Sequence, residues 1–332
     1  MLDATVLIPT HDHGPLLELS VRSALAQTVD RIEVLIVGDG ATPETRAVAH
    51  RLTEVDPRVR YFDHPKSPRT GEAYRHELLM KARSRIVCYL SDDDLWLPNH
   101  LAVMSRLLEQ AEFAHTQVVA VDPGGTVQPT AADLSRPFYR HKLLNGENRV
   151  PLTCAGHTLI AYRRLSHGWR STPPGTPTDL YMWQQFLQNP DLLAVSSPEP
   201  TAVVFPSPQR RGWALADRLA EMSGWAARLP DLSTDPTYLK AILTALYLFA
   251  TSLERGWHWS EGQVTAEAQR LRAECDRLAG ELADARAEAR LAARSAADLA
   301  ADLAAAHRSR TWKTVNWLRA RLGRTAATVR SA

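Results

Sequence analysis

Apolar residues recur along the first hundred positions in two alternating rhythms. Thr5 to Ile8, Ile32 to Val37, Val59 to Phe62 and Ile86 to Leu90 are short runs rich in Val, Ile and aromatic residues, as buried strands require. Between them lie segments of helical period. Pro15 to Ala26 carries apolar Leu16, Leu17, Leu19, Val21, Ala24 and Leu25, and Pro43 to Leu52 and Gly71 to Ala82 follow. Four strand–helix repeats in succession predict an α/β fold with a mostly parallel sheet covered on both faces. Right-handed crossovers bring the carboxyl ends of these strands to one edge, where open α/β sheets hold their ligands.

The loops gathered at that edge are Pro9-Thr10-His11-Asp12, Gly38-Asp39-Gly40, His64 to Arg69, and Asp92-Asp93-Asp94. Three adjacent carboxylates raise one another's pKa unless something positive compensates them. A divalent cation carrying phosphate oxygens is a natural partner, since hard oxygen ligands suit Mg²⁺ or Mn²⁺. An acidic loop, or acids favouring a helix dipole, accounts for the same triplet without a ligand.

Beyond residue 112 the rhythm changes. Phe113 to Val127 looks extended around a turn at Asp122-Pro123-Gly124-Gly125, and residues 128–178 are irregular and rich in Pro, Arg and His, as a binding region or lid is. A helix begins near Asp179, a late strand covers Ala202 to Phe205, and helical patterns occupy Ala214 to Leu229 and Pro236 to Arg255. From Val264 to Ala306 apolar residues alternate by four and three, the seam of a coiled coil spanning roughly 65 Å. Its alanines bury little area, so its association is expected to be weak; a single solvated helix is the alternative. Residues 309–322 form a basic helix with Trp312 and Trp317, suited to an anionic membrane surface, a partner's groove or a solvated tail. The expected divisions are 1–215 with a break near 112, then 216–260, 262–306 and 307–332.

Composition narrows the class. A hydrophobic fraction of 45% and a charged fraction of 23% over 332 residues are those of a globular protein. The net charge of +2 conceals a cationic tail, because no acid follows Asp302. Cys88, Cys154 and Cys275 are isolated and odd in number, which argues against a disulfide framework and for a reducing compartment. Neither a signal peptide nor an apolar run of roughly 20 residues is present. The expected location is the cytoplasm, with the tail peripheral to the inner face of the plasma membrane, and no nucleic-acid partner is expected.

The first half resembles the inverting family 2 glycosyltransferases of GT-A fold. The matching residues are Val6-Leu7-Ile8-Pro9-Thr10-His11-Asp12, Glu33 to Gly40, Gly71 to Ala82 and Ser91-Asp92-Asp93-Asp94-Leu95-Trp96-Leu97-Pro98. The family often has Asn at Asp12 and a double acid at Gly38-Asp39. Its Asp-x-Asp would begin at Ser91, which puts the second acid on Asp93. The resemblance implies a nucleoside diphosphate sugar as donor, a glycan or lipid-linked acceptor, and Mg²⁺ or Mn²⁺ as cofactor. It leaves the metal to Asp93 or Asp94, with Asp93 favoured, and gives the base to Asp39 with Pro9 and Thr10 beside it. Asp12 and Asp92 are expected along the same donor site. The family's catalytic acid precedes a Trp-containing helix, which here is Thr178-Asp179-Leu180-Tyr181-Met182-Trp183 and makes Asp179 the expected general base.

Several of these residues carry a second reading. Asp179 or Thr178 would serve as a helix N-cap. Lys66 or Arg69 reaches the base or a phosphate, or is a solvated surface cation. Arg210 and Arg211 are expected to clamp the diphosphate, as guanidinium pairs well with phosphate oxygens. Gln209-Arg210-Arg211-Gly212-Trp213 echoes the Gln-x-x-Arg-Trp motif of processive synthases, but Gly212 stands at the Arg position. Three functions compete: the transferase, a degenerate transferase-like scaffold acting through its self-associating coiled coil, and a nucleotidyltransferase. The last would need a Gly-rich basic loop after the first strand, which Pro9-Thr10-His11-Asp12-His13-Gly14 is not.

Overall fold

The computed structural model describes residues 2–129, 132–234, 238–240, 243–244, 247, 261–308 and 313–319. The chain divides into two units, Met1–Glu261 and Gly262–Ala332. In the first, β1 (Ala4–Thr10), α1 (Gly14–Leu25), β2 (Ile32–Asp39), α2 (Pro43–Val55), β3 (Val59–His64), α3 (Glu72–Lys81) and β4 (Ile86–Tyr89) alternate as the apolar rhythm predicts. There follow β5 (Leu95–Trp96), α4 (His100–Leu107), β6 (Phe113–Val121), β7 (Val127–Pro129), α5 (Pro137–Leu144), β8 (Ala155–Thr158) and α6 (Leu159–Arg163). The unit continues through α7 (Thr178–Leu187), β9 (Ala194–Val204) and α8 (Leu215–Arg228). Helix α9 runs from Glu261 to Arg308, and its residues from Gly262 on belong to the second unit.

The sheet runs in the order β3-β2-β1-β4-β8-β6-β9-β5, with β7 paired to β6. Its first half is parallel, β1 pairing with β2 and β4, and β2 with β3. The second half is mixed: β8 is antiparallel to both β4 and β6, β9 parallel to β6, and β5 antiparallel to β9. The mostly parallel expectation therefore holds only as far as β4. The difference lies with β8, which comes from the stretch read as irregular. Four residues containing a glycine and a histidine show no alternation, yet they occupy the centre of the sheet. Gly156 makes that possible, because a Cβ there would sit 2.6 Å from Met104 Cε and 2.8 Å from the Val87 carbonyl.

The core of the first half is built from β1, β2 and β4, with Leu7, Ile8, Ile36 and Tyr89 fully buried. Each buried aliphatic of this size contributes about 1.5–3 kcal/mol. A second apolar cluster joins Leu16 of α1 to Leu95, Val119, Val203, Met222 and Trp225, and so fastens α8 beside the first helix. Much of the helix expected over Pro236 to Arg255 falls outside the described residues, as do Trp312 and residues 320–332 of the tail. Among the described residues no helix is long and apolar enough to cross a membrane.

Candidate active site

The carboxyl ends of β1, β2 and β4 carry the site. Thr10 ends β1 opposite Gly38 of β2, and Asp39 follows opposite His64 of β3. Asp39 is buried and both its oxygens are engaged: Oδ1 accepts the Ser67 backbone N–H at 2.6 Å, and Oδ2 accepts Lys66 Nζ. Gly71, at φ +77°, presses against it, since a Cβ there would lie 3.0 Å from Asp39 Cβ. The Thr10 hydroxyl at the same edge is buried without a hydrogen-bond partner. Lys66 is thus both an exposed cation and Asp39's ion-pair partner. Asp12 lies in the loop after β1 with its side chain mostly exposed.

Asp92, Asp93 and Asp94 follow β4 and all three are buried. Their surroundings separate them. Asp94 Oδ1 accepts the Phe205 N–H at 2.9 Å and Oδ2 accepts the Thr153 hydroxyl, while its carbonyl accepts Ser20 Oγ. Burial, then the charge of Asp93, pushes the Asp94 carboxyl up to about 8. Both Asp94 oxygens are spent on tying the loop to β9 and the Thr153 turn, so the geometry does not offer them to a metal, contrary to the expectation. Asp93 accepts Ser91 Oγ at 2.8 Å, Ser207 Oγ at 2.6 Å and Arg218 Nη2 at 2.7 Å. Asp92 Oδ1 lies 2.8 Å from His13 Nδ1, and its Oδ2 is buried with no partner.

His13 is the ligand type missed in the sequence. Burial opposes protonation of its ring, but the hydrogen bond to Asp92 and the charges of Asp92 and Asp93 outweigh that, raising it to about 9. His13, Asp92 and Asp93 each present one ligand atom within 4.8 Å of the others. An unpartnered buried carboxylate oxygen beside a second acid and an imidazole fits a divalent cation, and this is the group the residues present would hold.

Asp179 sits in the first turn of α7, half-buried. It does not cap the helix: Pro177 occupies the N-cap, and no side chain there makes a capping bond. Its Oδ1 accepts the Leu180 N–H at 2.8 Å and its Oδ2 accepts the Asn148 amide at 2.9 Å. Burial raises its pKa against the pull of Asn148, backbone N–H groups and Arg75. The segment before α7 is stitched to the donor loop. Arg69 Nη2 donates to the Thr176 carbonyl, Thr70 Oγ1 to Thr178 Oγ1, and Thr172 Oγ1 to buried Glu72. Arg75 stacks over Trp169 in the same seam, 4.7 Å from its centroid. Arg69 is therefore a strut between two loops, with its carbonyl accepting Lys66.

The expected clamp is placed elsewhere. Arg210 is buried, its Nε and Nη2 each 2.6 Å from the Glu221 carboxylate and Nη2 also 2.9 Å from the Val121 carbonyl. A guanidinium so committed has no fork left for a diphosphate. Arg211 is exposed. The arginine at the acid loop is Arg218 of α8, which no motif in the sequence marks.

A curled mixed sheet with a parallel nucleotide half, acids after β4 and helices on both sides is the GT-A fold. Residues 5–168 match the model of glycosyl transferase family 2, and that half of the chain is a domain of the family. It is similar to a putative teichuronic acid biosynthesis glycosyltransferase, TuaG, of Bacillus subtilis, 28% identical over 187 residues, 55% of this chain and 71% of that protein. It is also similar to the GalNAc(5)-diNAcBac-PP-undecaprenol β-1,3-glucosyltransferase of Campylobacter jejuni, 25% identical over 134 residues, 40% of this chain and 41% of that one. The chain spans less than half the length of most curated relatives it matches. In fold it is similar to S. aureus TarS 1–349 in complex with UDP-GlcNAc, with TM-score 0.51 and 12% identity over 75% of this chain and 74% of that one.

Proposed function

We propose that this chain is a metal-dependent inverting glycosyltransferase that moves a sugar from a nucleoside diphosphate sugar to a hydroxyl of a glycan or lipid-linked acceptor, in cell-surface polysaccharide or glycoconjugate synthesis. The observation that carries the reading is the unpartnered Asp92 oxygen, buried beside His13 and Asp93 at the carboxyl edge of a nucleotide-type half-sheet. Names of relatives that act in teichuronic acid synthesis and on an undecaprenol-linked glycan support the substrate class.

His13, Asp92 and Asp93 are the residues that would hold the ion, and Asp94 supports their loop. Bound there, Mg²⁺ or Mn²⁺ supplies Lewis-acid neutralisation of the departing diphosphate. A donor set of one imidazole and two carboxylates favours Mn²⁺ over Mg²⁺, which prefers oxygen alone. Asp39 receives the base, with the loop of Pro9, Thr10 and Asp12 beside it and Lys66 closing over its carboxylate. Asp179 accepts the acceptor hydroxyl's proton as that oxygen attacks the anomeric carbon from the face opposite the diphosphate. The new glycosidic bond forms as the bond to phosphate oxygen breaks, and the configuration inverts. Self-association is assigned to α9, whose seam residue Leu299 is exposed, and peripheral membrane contact to the tail.

The test is calorimetric titration of UDP, GDP and dTDP with and without Mn²⁺, followed by donor turnover with the preferred nucleotide sugar. One nucleotide is expected to bind in a metal-dependent way, and Asp93→Ala to lose both that binding and turnover. Failure of every nucleotide to bind with metal would favour the scaffold reading.

A further inference from the structure

Arg218 belongs to α8, beyond the segment that carries the family match. Met222 and Trp225 bury the inner face of that helix against Leu16, Leu95 and Val203, and this holds its first turn over the acid loop. Only 13% of the Arg218 side chain is exposed. Its Nη2 stands 2.7 Å from Asp93 Oδ2 and 3.2 Å from Ser207 Oγ, and its Nη1 stands 3.1 Å from His13 Nε2. One guanidinium therefore touches two of the three side chains able to ligate a cation, while the third keeps a buried oxygen without a partner.

We propose that Arg218 is a resident counter-ion that a divalent cation must displace from Asp93, and that a diphosphate arriving with the metal receives the displaced guanidinium, so the site selects the metal–diphosphate complex over the bare ion. This rests on the reading of His13, Asp92 and Asp93 as the metal seat. A bare cation entering that seat meets Arg218 at short range and takes the Asp93 carboxylate from it. Freed from Asp93, the half-buried guanidinium would be left unpaired, which is costly. A diphosphate brings phosphate oxygens in the planar fork geometry arginine prefers, so the same displacement then costs little. Ordered loading follows from that asymmetry: the metal enters with the donor and leaves with the nucleoside diphosphate. It also gives α8 a role in donor binding, since its first turn can hold Asp93 or diphosphate, but not both.

The test counts free Mn²⁺ by electron paramagnetic resonance during titration with the full-length protein, with and without inorganic pyrophosphate. Wild type is expected to bind bare Mn²⁺ weakly and much more tightly with pyrophosphate. Arg218→Gln should bind bare Mn²⁺ about tenfold more tightly, as one opposing charge is removed at close range, and should lose most of the pyrophosphate enhancement. Arg218→Lys keeps the charge without the fork, so its bare-ion affinity should stay near wild type while the enhancement falls. Ser207→Ala removes a neutral partner of Asp93 and leaves the opposing charge in place, so it should retain the pyrophosphate enhancement that Arg218→Gln loses. Equal bare-ion affinity in wild type and a folded Arg218→Gln overturns the role of Arg218 and leaves the metal seat standing. Should Arg218→Gln fail to fold, an undiminished enhancement in Arg218→Lys overturns it instead. Absence of Mn²⁺ binding in every form removes the seat itself.

Discussion

Asn148 donates its side-chain amide to Asp179 Oδ2 at 2.9 Å, reaching α7 from the segment that follows α5. This bond favours the ionised carboxylate, while burial works against it and prevails, leaving the pKa raised. A general base must be unprotonated to work, so turnover should fall as pH is lowered through that raised value. Asn148→Ala removes a donor to the charged form, which moves the acid limb of kcat to higher pH. Asn148→Asp adds a like charge and should move it further. Asp179→Asn should bind donor and lose turnover. The check is kcat against pH for wild type and the two Asn148 variants. An unmoved limb in Asn148→Ala would take Asn148 out of the positioning of the base.

Asp93 and Asp94 are neighbours with opposite expected phenotypes. Asp93→Asn removes the metal-facing charge but keeps an oxygen for Ser91, Ser207 and Arg218, so it should abolish metal-dependent nucleotide binding with little loss of thermal stability. Asp94→Ala leaves the buried Phe205 N–H and the Thr153 hydroxyl without an acceptor. Each such loss costs about 1–3 kcal/mol, so this variant should unfold at clearly lower urea. Asp94→Asn keeps an acceptor for Phe205 and should recover most of that stability. Urea unfolding beside Mn²⁺ titration separates the two roles. A stable Asp94→Ala that has lost metal would reverse the assignment.

The parallel half of the fold was legible because each strand there is a continuous apolar run and each helix has its own period. The acids after β4 and Asp39 at the end of β2 were legible for the same reason, since strand ends can be located from the runs alone. What was hidden depends on packing between distant segments. β8 is four residues long and reaches the sheet centre through Gly156. His13 stands next to a recognised loop, but its role arises only where Asp92 meets it. Arg210 and Arg218 are both arginines near the end of the domain, and nothing local distinguishes the one that pairs with Glu221 from the one that reaches Asp93. The helix of α9 was legible as a period, since a repeat is a property of the chain itself.

Gly71 tests the placement of Asp39. Alanine at its φ of +77° pays about 1–2 kcal/mol for a left-handed backbone. Its Cβ would also meet Asp39 Cγ at 3.3 Å and turn the carboxylate from Ser67 and Lys66. Gly146 supplies the control, because it lies at φ +96° with nothing within 4 Å of a new Cβ. Both alanine variants should lose stability, while only Gly71→Ala should lose nucleotide affinity in calorimetric titration. Equal nucleotide affinity in the two would detach Asp39 from base recognition.

Arg210 is expected to matter for stability rather than for phosphate. Its guanidinium is enclosed by Glu221, the Val121 carbonyl and the rings of Phe205 and Trp213. Arg210→Ala strands the Glu221 carboxylate in a largely buried position, a loss of roughly 3–5 kcal/mol. Arg210→Met paired with Glu221→Leu removes both charges and fills the space, so much of that loss should return. Arg211→Ala, at an exposed position, should change stability by no more than about 0.5 kcal/mol. Metal-dependent nucleotide affinity should stay near wild type in the double variant, because Arg210 makes no contact with Asp92 or Asp93 among the described residues. Urea unfolding and calorimetric titration of these three proteins decide the matter. A stable Arg210→Ala with lost nucleotide affinity would return Arg210 to the diphosphate and leave Glu221 as merely its holder in the free protein.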